Sequence, residues 1–373
     1  MGNNTSITEH KRHYYRELLC IGVPIIIGQL GTIVLGFADT LMIGHHSTEE
    51  LAAAGLVNNI ITFILVSYMG FSYGLTPIIG KLYGMEKTDK IGQKVKNSFF
   101  ANMVVGVIFS LALVVLYFNL HRIGQPEELL ALIRPYFIVN LISVLFVGVF
   151  NTLKQFLDGI GNTKVAMWVM IMGNIVNIFG NWVLIYGVGP CPEMGLLGAG
   201  ISTLASRVLM AVAMVGIIAV TKEYREYRNN IIASRINGAD FREMNRLGWP
   251  VALQLALESG AFTLSCVMVG WLGTIPLAAH QVMITISQLF YLVLSGMAAA
   301  LAIRVSHFVG QNDFAAVRRN AYDGWRLNLM FSLCMGIPVL LLRHQIGGWF
   351  NDNVEVQQYV ALLIIMMMLY QFG

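Results

Sequence analysis

Charge is the scarcest ingredient of this 373-residue chain. Only 12% of its residues are Asp, Glu, Lys or Arg, 56% are hydrophobic, and the mean hydropathy is +0.67. Soluble domains carry about 25% charged residues, and so few charges cannot cover a water-facing surface. A bilayer removes that requirement, because lipid-facing surface must be apolar. Catalytic signatures are missing as well. There is no GxxxxGK(S/T) phosphate loop, which excludes ATP as the expected energy source, and no HExxH zinc motif. Cysteine is sparse: Cys20, Cys266 and Cys334 lie in apolar runs and Cys191 in a loop, without CxxC or Cys/His spacing. Neither a disulfide framework nor a structural metal is therefore expected. A cleavable signal peptide is not visible, because the N-terminus is polar and the first apolar run, from near Leu18, is long enough to span. The net charge of +4 is modest and its basic residues are scattered through short loops, so no nucleic-acid surface is expected.

What is present is a series of long apolar runs. They fall near Leu18–Gly44, Leu51–Gly80, Ser98–Leu120, Leu129–Phe156, Val165–Val188, Leu196–Val220, Leu247–Gly273, Leu277–Phe308, Trp325–Leu342 and Val354–Gly373. Each has roughly the 18–30 residues that a helix needs to cross the hydrocarbon. The fold class predicted is an all-α polytopic membrane protein with about ten spans here, the tenth cut by the chain end. Lys and Arg alternate between the two sets of loops. Lys11, Arg12 and Arg16, then Lys81, Lys87, Lys90, Lys94 and Lys96, then Lys154 and Lys164 lie on one side. That side also holds Lys222, Arg225, Arg228, Arg235, Arg242 and Arg246, and Arg304, Arg318, Arg319 and Arg326, whereas the other holds only Arg122, Arg134 and Arg343. The bias predicts a cytoplasmic N-terminus.

Sliding the chain on itself by 226 positions brings Arg16-Glu17 onto Arg242-Glu243, Gly22 onto Gly248, Pro24 onto Pro250, Gly44 onto Gly270 and Leu51-Ala52-Ala53 onto Leu277-Ala278-Ala279. Gly70 and Gly84 fall on Gly296 and Gly310. An even number of spans per copy predicts two parallel six-helix lobes. The expected division is an N-lobe over 1–221, a cytoplasmic inter-lobe loop over 222–246 and a partial C-lobe over 247–373. A complete second copy would need roughly 450 residues, so a C-terminal truncation is expected.

Two acids interrupt the apolar runs, Asp39 near the outer end of the first and Glu258 near the middle of the seventh. A carboxylate in the bilayer interior costs several kcal/mol unless paired, hydrated or protonated, so such groups are usually functional. Both are candidates for binding a proton or a sodium ion and for neutralising a cationic substrate, and desolvation is expected to favour their protonated forms. They are expected to face a shared watery chamber. The bland alternatives are a wetted helix end for Asp39 and an interhelical hydrogen-bonding group for Glu258. Arg207 is a third charge within a span and reads as a structural partner before a substrate contact. Asn174, Asn177 and Asn181 recur at three- and four-residue spacing, hence on one helix face. They are candidates either for ion coordination or for interhelical hydrogen bonds. His280 and Gln281 fit a polar cavity lining or an interfacial helix start. Pro24, Pro77 and Pro250 are candidate kinks.

The segments GVPIIIGQLGTIVLGFADTLMIG, LAAAGL, NTLKQFLDGIGNTK, NIVNIFGNWVLIYG with MGLLGAG, and LAAHQV with AIRVSHFVGQND resemble signatures of the MATE (multidrug and toxic compound extrusion) transporters. The resemblance covers essentially the whole chain. It implies twelve helices in two lobes and export of organic cations or drugs in exchange for Na+ or H+ by alternating access. No cofactor beyond that coupling ion and no obligatory protein partner is implied. Pro24, Gln29 and Asp39 match the opening helix, with Asp39 as the acid of the N-lobe cavity. Asn177 and Asn181 fall among that cavity's further ligands, and Asn181 stands where one branch has aspartate. Glu258 matches the C-lobe acid of the NorM-like branch, and a transient Na+ is implied at Asp39 with Asn177, or at Glu258. The expected location is a bacterial inner membrane. A lipid-linked oligosaccharide flippase of the same superfamily would need a cationic cavity, which one Arg and two acids do not favour. A membrane enzyme or receptor lacks either a catalytic constellation or the span count.

Overall fold

The computed structural model describes residues 2–123, 127–350 and 353–371. The chain end at Gly373 and the side chains of Lys11 and Arg12 lie outside the described residues. Helices follow one another throughout: α1 (Gly2–His46), α2 (Thr48–Tyr73), α3 (Leu75–Gly84), α4 (Thr88–Phe118), α5 (Glu127–Gly159), α6 (Thr163–Tyr186) and α7 (Gly195–Val220). Then come α8 (Arg225–Ala233), α9 (Gly238–Gly270), α10 (Thr274–Gly310), α11 (Phe314–Leu341), α12 (Arg343–Phe350) and α13 (Val354–Gln371). Among the described residues, ten stretches are long and apolar enough to cross a membrane, one for each predicted span. The physical reason is that lipid offers a backbone no hydrogen-bonding partner, so each span must satisfy its own N–H and C=O groups as a helix.

The helices run past the apolar limits. α4 begins at Thr88 and α11 at Phe314, well before the apolar runs at Ser98 and Trp325. The hydrogen-bond ladder does not stop where charges begin; only side-chain polarity changes there. The segment 222–246 also differs from the expected loop. It carries a 3-10 turn at Lys222–Tyr224, then α8, and it enters α9 at Gly238. Asn162 donates to the Tyr224 Oη at 2.7 Å, the Tyr227 ring packs edge-on to Phe156 at 5.5 Å, and Lys96 donates to the Ser234 carbonyl at 2.6 Å. Burial pushes both phenols above their ordinary range, so both stay neutral and act as anchors. These anchors order a stretch whose sequence is too polar to read as a span.

Helix boundaries obey the repeat. Thr48, Gly84 and Thr88 bound helices in the first copy, and Thr274, Gly310 and Phe314 bound them in the second, each pair 226 positions apart. The intervening turns share an unusual backbone feature: Glu86 has φ 58° and Asn312, its counterpart, φ 57°. The copies differ at one point. α10 is continuous, whereas its first-copy counterpart breaks at Gly74 into α2 and α3. Pro77 accounts for the break. A proline ring collides with the carbonyl four residues back, here that of Tyr73, which is the last residue of α2. The second copy has Ile303 in place of Pro77 and no break. Pro24 and Pro250 lie within continuous helices.

The chain forms two compact units. One comprises Met1–Ile26, Leu257–Val305 and Asp313–Gly373, and the other Ile27–Ala256 and Ser306–Asn312. In the first, Gly22 packs on Met297 and Ala300 of α10, and Gly296 packs on Ile26. In the second, Gly248 packs on Phe71, Gly74 on Gly248, and Gly70 on Ala252. Subtracting or adding the repeat offset turns one set into the other. The leading half of each copy's first helix therefore packs on the other copy's second helix, and the changeover follows Pro24 and Pro250. The larger unit is built around Tyr68, Phe71, Phe137 and Phe156, all fully buried. Phe290, Val360, Ile364 and Met367 fill the core formed by α10, α12 and α13.

Candidate functional site

In the larger unit, α1, α6 and α7 bring a small polar cluster together among apolar helices. Asn181 Nδ2 donates to Asp39 Oδ1 at 2.5 Å and to Asn177 Oδ1 at 3.1 Å. Asn177 in turn bonds Thr203 Oγ1 at 3.1 Å, and Ser202 Oγ donates to the Asn177 carbonyl at 2.7 Å. Turning the Asn177 amide over places its Nδ2 3.0 Å from Asp39 Oδ1 and its Oδ1 within reach of both Thr203 Oγ1 and Thr203 N. In either orientation the amide spans the gap between Asp39 and Thr203. Asn177 and Asn181 are fully buried and Asp39 is half-buried. The four-residue step on α6 is what stacks the two amides on one face.

Two features of this cluster stand out. The Asn181 Oδ1 is buried and has no hydrogen-bond partner. Orphaned buried acceptors are rare and costly, about 1–3 kcal/mol each. The same place holds a carboxylate. A cluster of carboxylate, amide and hydroxyl oxygens offers the hard donor atoms that a proton or a hard cation takes. Among the described residues, no group of three or more His, Cys, Asp or Glu side chains could hold a metal ion.

Arg207 on α7 donates to Ser143 Oγ of α5 at 2.5 Å and lies within electrostatic reach of Asp39 and Tyr136. Tyr136 Oη bonds Asn58 Oδ1 of α2 at 3.0 Å. Arg207 reads as a structural partner from the sequence; Ser143, Tyr136 and Asn58 went unread there. Their signal was there, since Tyr136, Asn140 and Ser143 recur on one face of α5 at the spacing used to find the α6 amides.

The other predicted residues lie as follows. Asn174 makes none of these bonds and faces α1 instead, where a Cβ on Gly31 would lie 2.7 Å from its Nδ2. Gln29 is half-buried on α1. Glu258 is half-buried on α9 and belongs to the other compact unit, as do His280 and Gln281. His280 is 7% exposed with its Nδ1 unpartnered, while Gln281 is exposed and donates to Cys266 Sγ at 3.0 Å. Pro24 and Pro250 lie at the helix changeovers, and Pro77 at the α2–α3 break.

Apolar spans, internal duplication and a carboxylate held among buried amides define a polytopic helical membrane transporter. The chain belongs to the MatE family, whose model matches residues 24–183 and 250–373. Its fold matches solved MATE transporters. One is a MATE transporter crystallised with MaD3S, with a TM-score of 0.86 and 20% identity over 96% of this chain and 80% of that one. Another is the eukaryotic MATE transporter AtDTX14, with a TM-score of 0.83 and 18% identity over 97% and 80%. A third is a MOP superfamily transporter from Pyrococcus furiosus, with a TM-score of 0.81 and 20% identity over 96% and 80%.

Proposed function

We propose that this transporter exports organic cations in exchange for Na+ or H+, with the Asp39 cluster as a coupling site. The observation that supports this most is the pairing of a membrane-interior carboxylate with an unsatisfied buried amide oxygen, Asn181 Oδ1. A coupling cation at Asp39 gains that oxygen as a second ligand once the Asn181 amide turns over, since its Nδ2 now faces Asp39. A cationic drug neutralises the same carboxylate, so ion and drug exclude one another. Glu258 supplies the second acid, in the NorM-like manner that its position resembles. The basic loops support a cytoplasmic N-terminus, and the location proposed is a bacterial inner membrane.

The test is ethidium efflux from proteoliposomes with sodium and pH gradients imposed separately. Asp39→Asn and Glu258→Gln should each abolish gradient-driven efflux while membrane insertion stays intact. Unchanged efflux in both variants would sink the mechanism.

A further inference from the structure

A second site lies at the helix ends, away from Asp39. A pocket of about 390 Å3 opens between the last turns of α3, the first turns of α4 and the start of α9. Its floor is apolar, formed by Ile78, Leu82 and Met85, and its rim carries Lys81, Lys87, Lys90 and Lys94. Lys90 and Lys94 are four residues apart and so share one face of α4, and Lys87 stands at its N-cap.

The acids that line the pocket are already engaged. Lys94 bonds Asp240 at 2.7 Å and also bonds Glu243, while Gln93 donates to Asp240 at 2.7 Å and Asn97 does so at 3.2 Å. Lys81, Lys87 and Lys90 have no acidic partner among the described residues, and all three are exposed. No side chain caps the N-terminus of α4. A second hollow of about 360 Å3 adjoins across Glu243 and is flanked by Arg242 and Arg246. The pocket sits where the span Thr48–Gly84 ends and the span Thr88–Phe118 begins, just past the apolar run that closes at Gly80.

Unpaired cations over an apolar floor at that level match one ligand chemistry, a phosphate ester carrying acyl chains. We propose that this pocket binds the headgroup of an anionic phospholipid, with Lys81, Lys87 and Lys90 on the phosphate and Ile78, Leu82 and Met85 against the start of a chain. Lysines near an anionic surface attract acidic headgroups. Their aliphatic stems reach across apolar surface with the ammonium groups outermost.

Native mass spectrometry of the full chain, released from nanodiscs containing phosphatidylglycerol or phosphatidylcholine, reads the site directly. Wild type should retain phosphatidylglycerol selectively, and K81Q/K87Q/K90Q should lower its retention by at least about tenfold, the change that roughly 1.4 kcal/mol produces. K81R/K87R/K90R, which keeps the charge, should restore it. K222Q/R318Q/R319Q removes equal charge elsewhere and should retain the lipid, which also controls for a general loss of fold. Equal loss in both glutamine variants, or none in the first, overturns the proposal. So does inorganic phosphate alone displacing the lipid at millimolar concentration, because the site would then be one for free phosphate.

Discussion

Replacing Lys154 by methionine should destabilise the protein far more than its position near a helix end suggests. Lys154 Nζ bonds Asp158 Oδ2 at 2.6 Å, one turn along α5, with the two side chains 17% and 5% exposed. It is the only hydrogen-bond partner of the Asp158 carboxylate among the described residues, and the other carboxylate oxygen, Oδ1, has none. Two unit charges roughly 4 Å apart at an effective dielectric of about 20 interact by ~4 kcal/mol. Breaking a buried pair from one side costs about 3–5 kcal/mol, because the surviving charge is left uncompensated. Removing both charges with apolar groups of similar volume costs little. One kcal/mol moves Tm by about 2 °C in a chain of over 200 residues, so Lys154→Met should melt roughly 6–10 °C lower. The double variant Lys154→Met/Asp158→Leu should recover most of that loss. Size-exclusion chromatography after heating, in lipid nanodiscs, measures both. If Lys154→Met melts within about 2 °C of wild type, the pair is hydrated and the reasoning about its desolvation fails.

Other substitutions probe separate parts of the fold. Gly74→Ala drives a Cβ to 2.9 Å from the Gly248 backbone nitrogen and should cost about 1–3 kcal/mol, seen as a lower Tm. Gly216→Ala meets nothing within 4 Å and should be neutral or stabilising by up to about 1 kcal/mol in the same assay. Tyr68→Phe removes the 2.8 Å bond to the Asn102 carbonyl and should cost about 0.5–1.5 kcal/mol in thermal melts, with export unchanged. Asn181→Leu removes both the bond to Asp39 and the unpartnered oxygen, and should suppress ion-driven ethidium efflux at near-normal expression.

The spans were legible because run length alone separates a bilayer helix from other apolar segments. The ends of α4 and α11 were not, since charge marks the membrane boundary and not the helix boundary. The α8 region was unreadable for a related reason: Tyr224 and Tyr227 order it through contacts with Asn162 and Phe156 that are distant in sequence. Asn177 and Asn181 could be found from spacing, yet the same spacing admitted Asn174, which faces Gly31. Spacing assigns a face but not the neighbour that fills it. Tyr136 and Ser143 escaped notice because tyrosine and serine are ordinary in spans and carry no charge to flag them.

The duplicated packing has an energetic corollary. A Cβ on Gly84 would meet the His307 backbone, and one on Gly310 would meet the Lys81 backbone, with Gly84 and Gly310 themselves in contact. Since 81 and 307 are also counterparts, the two glycines guard a single closeness from opposite sides. Once a methyl on either has forced the chains apart, a methyl on its twin finds the room already made. The two penalties should therefore fall well short of their sum, an epistasis written into the molecule by its own ancestry.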